Sequence, residues 1–302
     1  MTEYQTLTDD SLDAAVRFMR DANPFAQRTW GWDTGRFIDW RWGSHAAYET
    51  DHPGWFAENC RAIVESGTIR ALLISEYGEG DLCILTREPE PELVAGALNA
   101  VITDRRSHRR DLHLEAASRS AWLRNVFVDC GLDEQPAAAY EWEYDLSDDR
   151  PTAEVPGGFS INSLKDAVPG DRERIAGCIA AAFDSEGDIE GALASLETNP
   201  LFLPELSVFV RSNDGRVAAY CRGTVDASNG VCGIDPVCTH PDFQRLGLGK
   251  AVVLECFTRQ RHLGGAHAFI GSDPDPAPGN RLYRSLGPRD RIAMSSWTLP
   301  AP

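Results

Sequence analysis

"HPDFQRLGLGKAV", residues 240–252, places two glycines and two basic residues where an apolar run passes into a helical pattern. A glycine inside a helix costs roughly 0.5–1 kcal/mol relative to alanine, so Gly247 and Gly249 need a reason to stand at a helix start. Helix N-termini expose unpaired N–H groups and partial positive charge. Glycine lets an anion come close to that backbone. The product is a phosphate cradle, and Arg245 and Lys250 add charge at its rim.

Three phosphate patterns compete for this stretch. A P-loop of the Walker type needs Gly at 244 and Ser or Thr at 251; the chain has Gln244 and Ala251. A dinucleotide fingerprint needs a third glycine at 252, where Val252 stands. The third pattern fits. "QRLGLG", Gln244 to Gly249, resembles the Gln/Arg-x-x-Gly-x-Gly/Ala signature of the GNAT superfamily, the acetyl-CoA-dependent N-acetyltransferases. The preceding "PVCTHPDF" looks like that family's fourth strand and its exit. "GNRLYRSLG", Gly279 to Gly287, resembles the downstream helix whose Asn and Tyr face the coenzyme thioester. The likeness covers about residues 158–302 in motifs and element order. Pro288 departs from it, since an aromatic residue is usual there, and the first half carries no such signature.

The resemblance implies a fold, a coenzyme and a set of residues. The fold would be α+β, a mixed sheet repeated as two GNAT-like domains in tandem, each a mostly antiparallel twisted sheet flanked by helices. The cosubstrate would be acetyl-CoA, with no metal. Its pantetheine arm would lie along Val237, Cys238 and Thr239, where a backbone N–H can also face the thioester oxygen. Its pyrophosphate would sit on Gln244, Arg245, Leu246, Gly247, Leu248, Gly249 and Lys250, and Asn280 would touch the coenzyme. Asn280 also suits a helix cap, and the two roles are compatible.

Direct attack by an amine is the implied chemistry. An alkylammonium has a pKa of about 10, so a base must remove its proton and the leaving thiolate must gain one. Tyr283 matches the family's general acid; otherwise its ring packs in the core. Asp235 is the candidate base by position, because strand alternation would put residues 233, 235, 237 and 239 on one face. Its bland alternative is an acid at a strand kink beside Pro236. His240 reads as a loop residue before it reads as a catalyst.

The whole chain sets the frame. It has 302 residues, enough for two domains, and the acidic, Pro/Gly-bearing "DLSDDRPTAEVPGG" reads as the linker between residues 1–150 and 151–302. The first half would brace the fold or shape the acceptor site. Both halves read as strand, helix, strands, helix, strand, helix, strand, a duplicated unit. In the first helical pattern, "DDSLDAAVRFMRDANP", Pro24 marks the expected end. Trp30, Trp32, Trp40 and Trp42 suggest a core cluster or an aromatic wall for a cationic ligand. "RRSHRR", residues 105–110, suggests a solvated loop or an anion site. Eight cysteines without a Cys-x-x-Cys pair read as buried free thiols of a cytoplasmic protein. The polar N-terminus is unlike a signal peptide, and no apolar run is long enough to span a membrane. A net charge of −17 disfavours nucleic acid; it serves solubility or steers a small cationic amine as acceptor. A non-catalytic acyl-CoA sensor is the competing function, and oligomeric state is not legible.

Overall fold

The computed structural model describes residues 2–44, 52, 54–78, 80–108, 111–147 and 151–300. The first half runs β1 (Thr2–Thr6), α1 (Leu12–Trp30), α2 (Thr34–Asp39), a π-helical turn (Trp40–Ser44), α3 (Trp55–Asn59), β2 (Cys60–Glu65), β3 (Thr68–Ile74), β4 (Cys83–Thr86), α4 (Pro91–His108), β5 (Leu112–Ala117), α5 (Ala121–Asp129) and β6 (Asp133–Asp145). The second runs β7 (Phe159–Ser163), α6 (Asp171–Phe183), α7 (Ile189–Glu197), β8 (Ser207–Ser212), β9 (Val217–Asp226), β10 (Val231–Thr239), α8 (Leu248–His262), β11 (His267–Ser272), α9 (Gly279–Ser285) and β12 (Asp290–Leu299).

Local chemistry explains many of these boundaries. Ser66 and Gly67 both have positive φ, 51° and 77°, the two-residue turn whose twist suits a hairpin, and β2 and β3 pair across it. The longer turn between β8 and β9 has a single left-handed residue, Gly215, at φ 88°.

Pro24 does not end its helix. It lies inside α1, which continues to Trp30 and closes on Gly31 at φ 66°. Interior proline costs about 3 kcal/mol through its lost N–H and ring clash. Against that stands a buried stripe of Ala15, Phe18, Met19, Ala22, Ala26 and Trp30, each large side chain worth about 1.5–3 kcal/mol. β1, in a polar segment, and the helices α2, α3 and α7 have no counterpart in the sequence reading.

Among the described residues two sheets form, one of four strands in order β1-β2-β3-β4 and one of eight in order β5-β12-β6-β11-β10-β9-β8-β7. The second crosses both halves. β6, from the first half, lies between β11 and β12. β12, from the second, lies between β6 and β5. The cores follow this exchange. Trp142 and Tyr144 of β6 join the second half's core, and Trp297 of β12 joins the first half's, 5.2 Å from the Phe127 ring. The linker residues 148–150 lie outside the described residues.

α1 seals the junction with polar groups spaced one turn apart. Asn23 donates to Asp226 at 3.3 Å, Gln27 to Glu141 at 3.3 Å, and Arg28 grips Glu143 at 2.7 and 3.1 Å. Among the described residues no helix is long and apolar enough to cross a membrane.

Residues 151–302 made alone would lack β6 in the middle of their sheet. That fragment should show no cooperative thermal transition, whereas the full chain should show one. A fragment that unfolds cooperatively on its own would contradict this sheet order.

Candidate active site

The phosphate turn has the geometry its glycines suggest. Gly247, at φ 80°, precedes α8, and a Cβ built there meets nothing within 4 Å. Arg245 also adopts a left-handed φ, 64°, which costs a non-glycine residue about 1–3 kcal/mol and clusters at functional sites. Alternating left-handed residues turn successive N–H groups into one concavity, a form that binds anions. The α8 ladder opens with Ala251 N donating to Gly247 O at 3.0 Å, so the N–H groups of Leu248, Gly249 and Lys250 precede it. Gly249 has a different duty. A Cβ there would lie 2.8 Å from Thr239 Oγ1, so only glycine lets α8 approach β10. Lys250 reaches across to Ser285 O at 3.4 Å, while Leu246 is exposed. Gln244 follows the short 3-10 turn of Pro241–Phe243.

Beside the turn, two parallel strands part. β10 and β11 pair only at Val231–Gly233 with His267–Phe269. From Ile234 to Thr239, β10 keeps β9 on its other edge, and β11 diverges. Val237, Cys238 and Thr239 therefore line one arm of a wedge with their outer backbone edge turned into it. The first half repeats the arrangement, with an isolated parallel bridge between Asp81, just before β4, and His113 of β5. Its helix, however, is entered by Arg87-Glu88-Pro89-Glu90-Pro91. Two prolines lack N–H groups and two carboxylates repel an anion, so that wedge has no phosphate cradle.

The alternation expected along β10 does not hold. Asp235 and Pro236 together oppose the single Arg222 of β9, a bulge between Ile234 and Val237. Its extra residue reverses the phase. Cys232 and Ile234 point into one core cluster, joined by Val237, and Cys238 points into the other. Residues 233, 235, 237 and 239 thus do not share a face.

Asp235 stands on that bulge. Its surface is open to solvent, yet protein crowds its carboxyl, as on the floor of an open cleft. That crowding, with Asp39 behind it, holds the carboxyl above the ordinary carboxylate range against Arg222 and Arg36. Tyr283 is buried on α9, its ring 6.3 Å from that of Trp142. Burial first, and Asp235 second, hold its hydroxyl above the usual phenol range, so it keeps its proton at neutral pH. Asn280 is not a cap. Pro278 occupies that position, and Asn280 instead donates to Asp273 O at 3.1 Å and Asp275 at 2.9 Å, tying down the loop before α9. Its Oδ1 is buried with no protein partner. His240 serves its loop, accepting from Asp242 N at 3.2 Å against the Phe243 ring.

The cleft's opposite wall comes from the first half. α2 is pressed so close to β9 that a Cβ on Gly35 would lie 2.3 Å from Thr224 Oγ1. Asp33, which caps α2 through Arg36 N at 2.7 Å, would be 3.3 Å from a Cβ on Gly233. Asp39 holds Arg222 at 2.8 and 2.9 Å. Arg36 pairs with Glu76 at 2.6 Å and lies 4.6 Å over the Trp32 ring.

Trp30, Trp32 and Trp40 are buried and pack with Phe37, Trp55, Phe56 and Phe127, so they are core and not a ligand wall. In the "RRSHRR" segment, α4 runs to His108, and Arg109 and Arg110 lie outside the described residues.

Glu141 is the residue that sequence reasoning missed. It is 8% exposed, and burial pushes its carboxyl up to about 8, with Asp33, Asp235 and Glu115 adding to the rise and Arg36 opposing it. Asp33 rises to about 6 for the same first cause. Nothing local marks Glu141 in "AAYEWEY"; only strand exchange puts it in the cleft. With both arginines paired, Asp33, Glu115, Glu141 and Asp235 form an acid surplus. Among the described residues no group of three His, Cys, Asp or Glu could hold a metal ion.

Comparison with known proteins agrees with this geometry. Residues 179–287 match the acetyltransferase (GNAT) family. A GCN5-related N-acetyltransferase from Sphaerobacter thermophilus is similar in structure, with TM-score 0.60 at 17% identity over 98% of this chain and 95% of that one. A tandem GNAT protein from the clavulanic acid biosynthesis pathway has TM-score 0.64 at 14% identity over 100% and 99%. No curated protein sequence matches the chain. The chain has the fold of tandem GNAT proteins, and the family match falls in its second half.

A carboxyl raised by burial destabilises the fold once it ionises. Stability from Glu141 is complete below its unfolded value, about 4.5, and is lost as pH rises through about 8. Glu141→Gln should therefore flatten the fall in unfolding temperature between pH 5 and 9. An unchanged pH profile would mean that Glu141 is already ionised in the fold.

Proposed function

We propose that the protein is an N-acetyltransferase that moves the acetyl group of acetyl-CoA to the amine of a small cationic acceptor. One observation carries this reading: the wedge between β10 and β11 opens beside a left-handed turn whose N–H groups are free to hold a pyrophosphate. Val237, Cys238 and Thr239 offer backbone groups to a pantetheine arm. Arg245 and Lys250 offset phosphate charge. Asn280 fits as a contact, because its buried Oδ1 can accept a hydrogen bond.

Acetyl-CoA supplies the acyl thioester, and the chain's residues manage protons and charge. Tyr283, protonated at neutral pH, can donate to the departing sulfur. Asp235 sits where an ammonium enters and is a candidate proton acceptor. The acid surplus favours a cation. These two side chains support an enzyme over an acyl-CoA sensor, which needs neither.

Gly247→Asp places a carboxylate on the pyrophosphate side of the turn and should lower acetyl-CoA affinity at least tenfold, about 1.4 kcal/mol. Calorimetry should find one coenzyme per wild-type chain; two equivalent sites would show that the first half binds it as well. Tyr283→Phe should lower turnover by ~10²–10⁴-fold with little change in coenzyme affinity. Unaltered turnover would return Tyr283 to packing.

A further inference from the structure

We propose that Glu141, on the strand lent by the first half, is the base that deprotonates the acceptor amine, with Asp235 guiding the ammonium to it. This rests on the acetyltransferase reading above and deepens it.

The placement follows from register. β11 last touches β10 at Phe269. Two residues farther on, inside the wedge, Gly271 pairs with Glu141 of β6. Two residues beyond Gly233 on the other arm stands Asp235. Asp235 stands on one arm of the wedge, and Glu141 on β6, the strand behind the other arm. A Cβ on Gly271 would lie 3.5 Å from Glu141 Oε1, and one on Gly31 3.3 Å from it. Neither glycine puts a side chain over that oxygen, and Met294 Cε and Arg36 Nη1 lie 3.5 and 3.7 Å from the same Cβ position on Gly31. Its partner Oε2 is held by Gln27 at 3.3 Å, which fixes the carboxyl without a counter-charge.

Strand alternation then separates the two proton tasks. Trp142, the next residue, points to the opposite sheet face, where its ring meets Tyr283. Glu141 points to the α1 and cleft face. An amine entering from the cleft would pass the exposed Asp235 and then reach the buried Glu141. The N–C bond forms, the C–S bond breaks, and the electron pair leaves on sulfur toward Tyr283. The nitrogen loses two protons. One passes to Glu141 and on to water. The other replaces the proton that Tyr283 gives to sulfur.

The environment suits this work better than that of Asp235. Around Glu141 lie Arg36 of α2, Asp33 before it, Asp235 of β10 and Glu115 of β5. A base of pKa about 8 is closer to an ammonium near 10 than an ordinary carboxylate near 4, so the uphill transfer is smaller. In the free protein Glu141 is mostly neutral at pH 7. An arriving cation favours its ionised form, so ammonium binding itself would release the proton and arm the base.

Methylamine, the smallest alkylammonium, is the probe. In infrared difference spectra of the full chain, wild type minus Glu141→Gln, methylamine at pH 7 should remove a protonated-carboxyl band. With acetyl-CoA present, methylamine-dependent thiol release should rise with pH in the wild type. Glu141→Gln should lower it at least tenfold near neutral pH and keep only the later rise that growing free methylamine brings, Glu141→Asp should recover part of the loss, and Asp235→Asn should keep the wild-type profile at a weaker methylamine affinity. A band that persists, a Glu141→Gln profile like the wild type's, or a wild type that binds acetyl-CoA but never acetylates methylamine would each overturn the assignment. Failure of the wild type to bind acetyl-CoA at all would sink the acetyltransferase reading itself.

Discussion

The insertion of β6 between β11 and β12 is the constraint on which the rest depends. It is a backbone-paired strand, so its removal would leave two edges unpaired and Trp142 and Tyr144 out of the second core. It also decides the site. Trp142 supports the ring of Tyr283, Tyr144 donates to the Tyr283 carbonyl at 2.9 Å, and Glu141 faces the cleft. The halves are therefore coupled through the candidate site as well as through the sheet, and β12 returns the exchange by filling the first core with Trp297.

The same wedge occurs twice, and small differences in sequence give it two uses. In the second half the splayed strands meet a left-handed turn with glycines. In the first they meet two prolines and two glutamates, a charge and backbone pattern hostile to phosphate. The first half contributes instead a wall of acids and the paired Arg36 and Asp39. Its Trp cluster keeps α2 rigid against β9, where Gly35 allows contact and Asp39 satisfies the buried Arg222. A buried arginine stripped of its partner costs about 3–5 kcal/mol, so this wall is held firmly in place.

Much of this was legible in the sequence where the chemistry is local. Gly247 and Gly249 announce a turn because few other residues tolerate its φ or the closeness of Thr239. Ser66-Gly67 and Asn213-Asp214-Gly215 announce hairpins for similar reasons. Tyr283 is singled out by its motif. What escaped depends on distant partners. Pro24 reads as a stop until the buried stripe of α1 outweighs it. The β10 bulge is invisible in "GIDPVCT", and with it the true facing of Asp235. Asn280 looks like a cap until Asp273 and Asp275 fold back on it. Glu141 looks like an exposed acid in an alternating strand, because nothing in its neighbours tells that the strand belongs to the other half's sheet.

Amide hydrogen exchange with and without acetyl-CoA tests the central claim most directly, because it reports where the coenzyme lies without requiring an acceptor. The account predicts new protection at Leu248, Gly249 and Lys250 and along Val237–Thr239, and no change from Thr86 to Val94. Protection centred on the first half's wedge, or none at the 244–250 turn while coenzyme is bound, would contradict it.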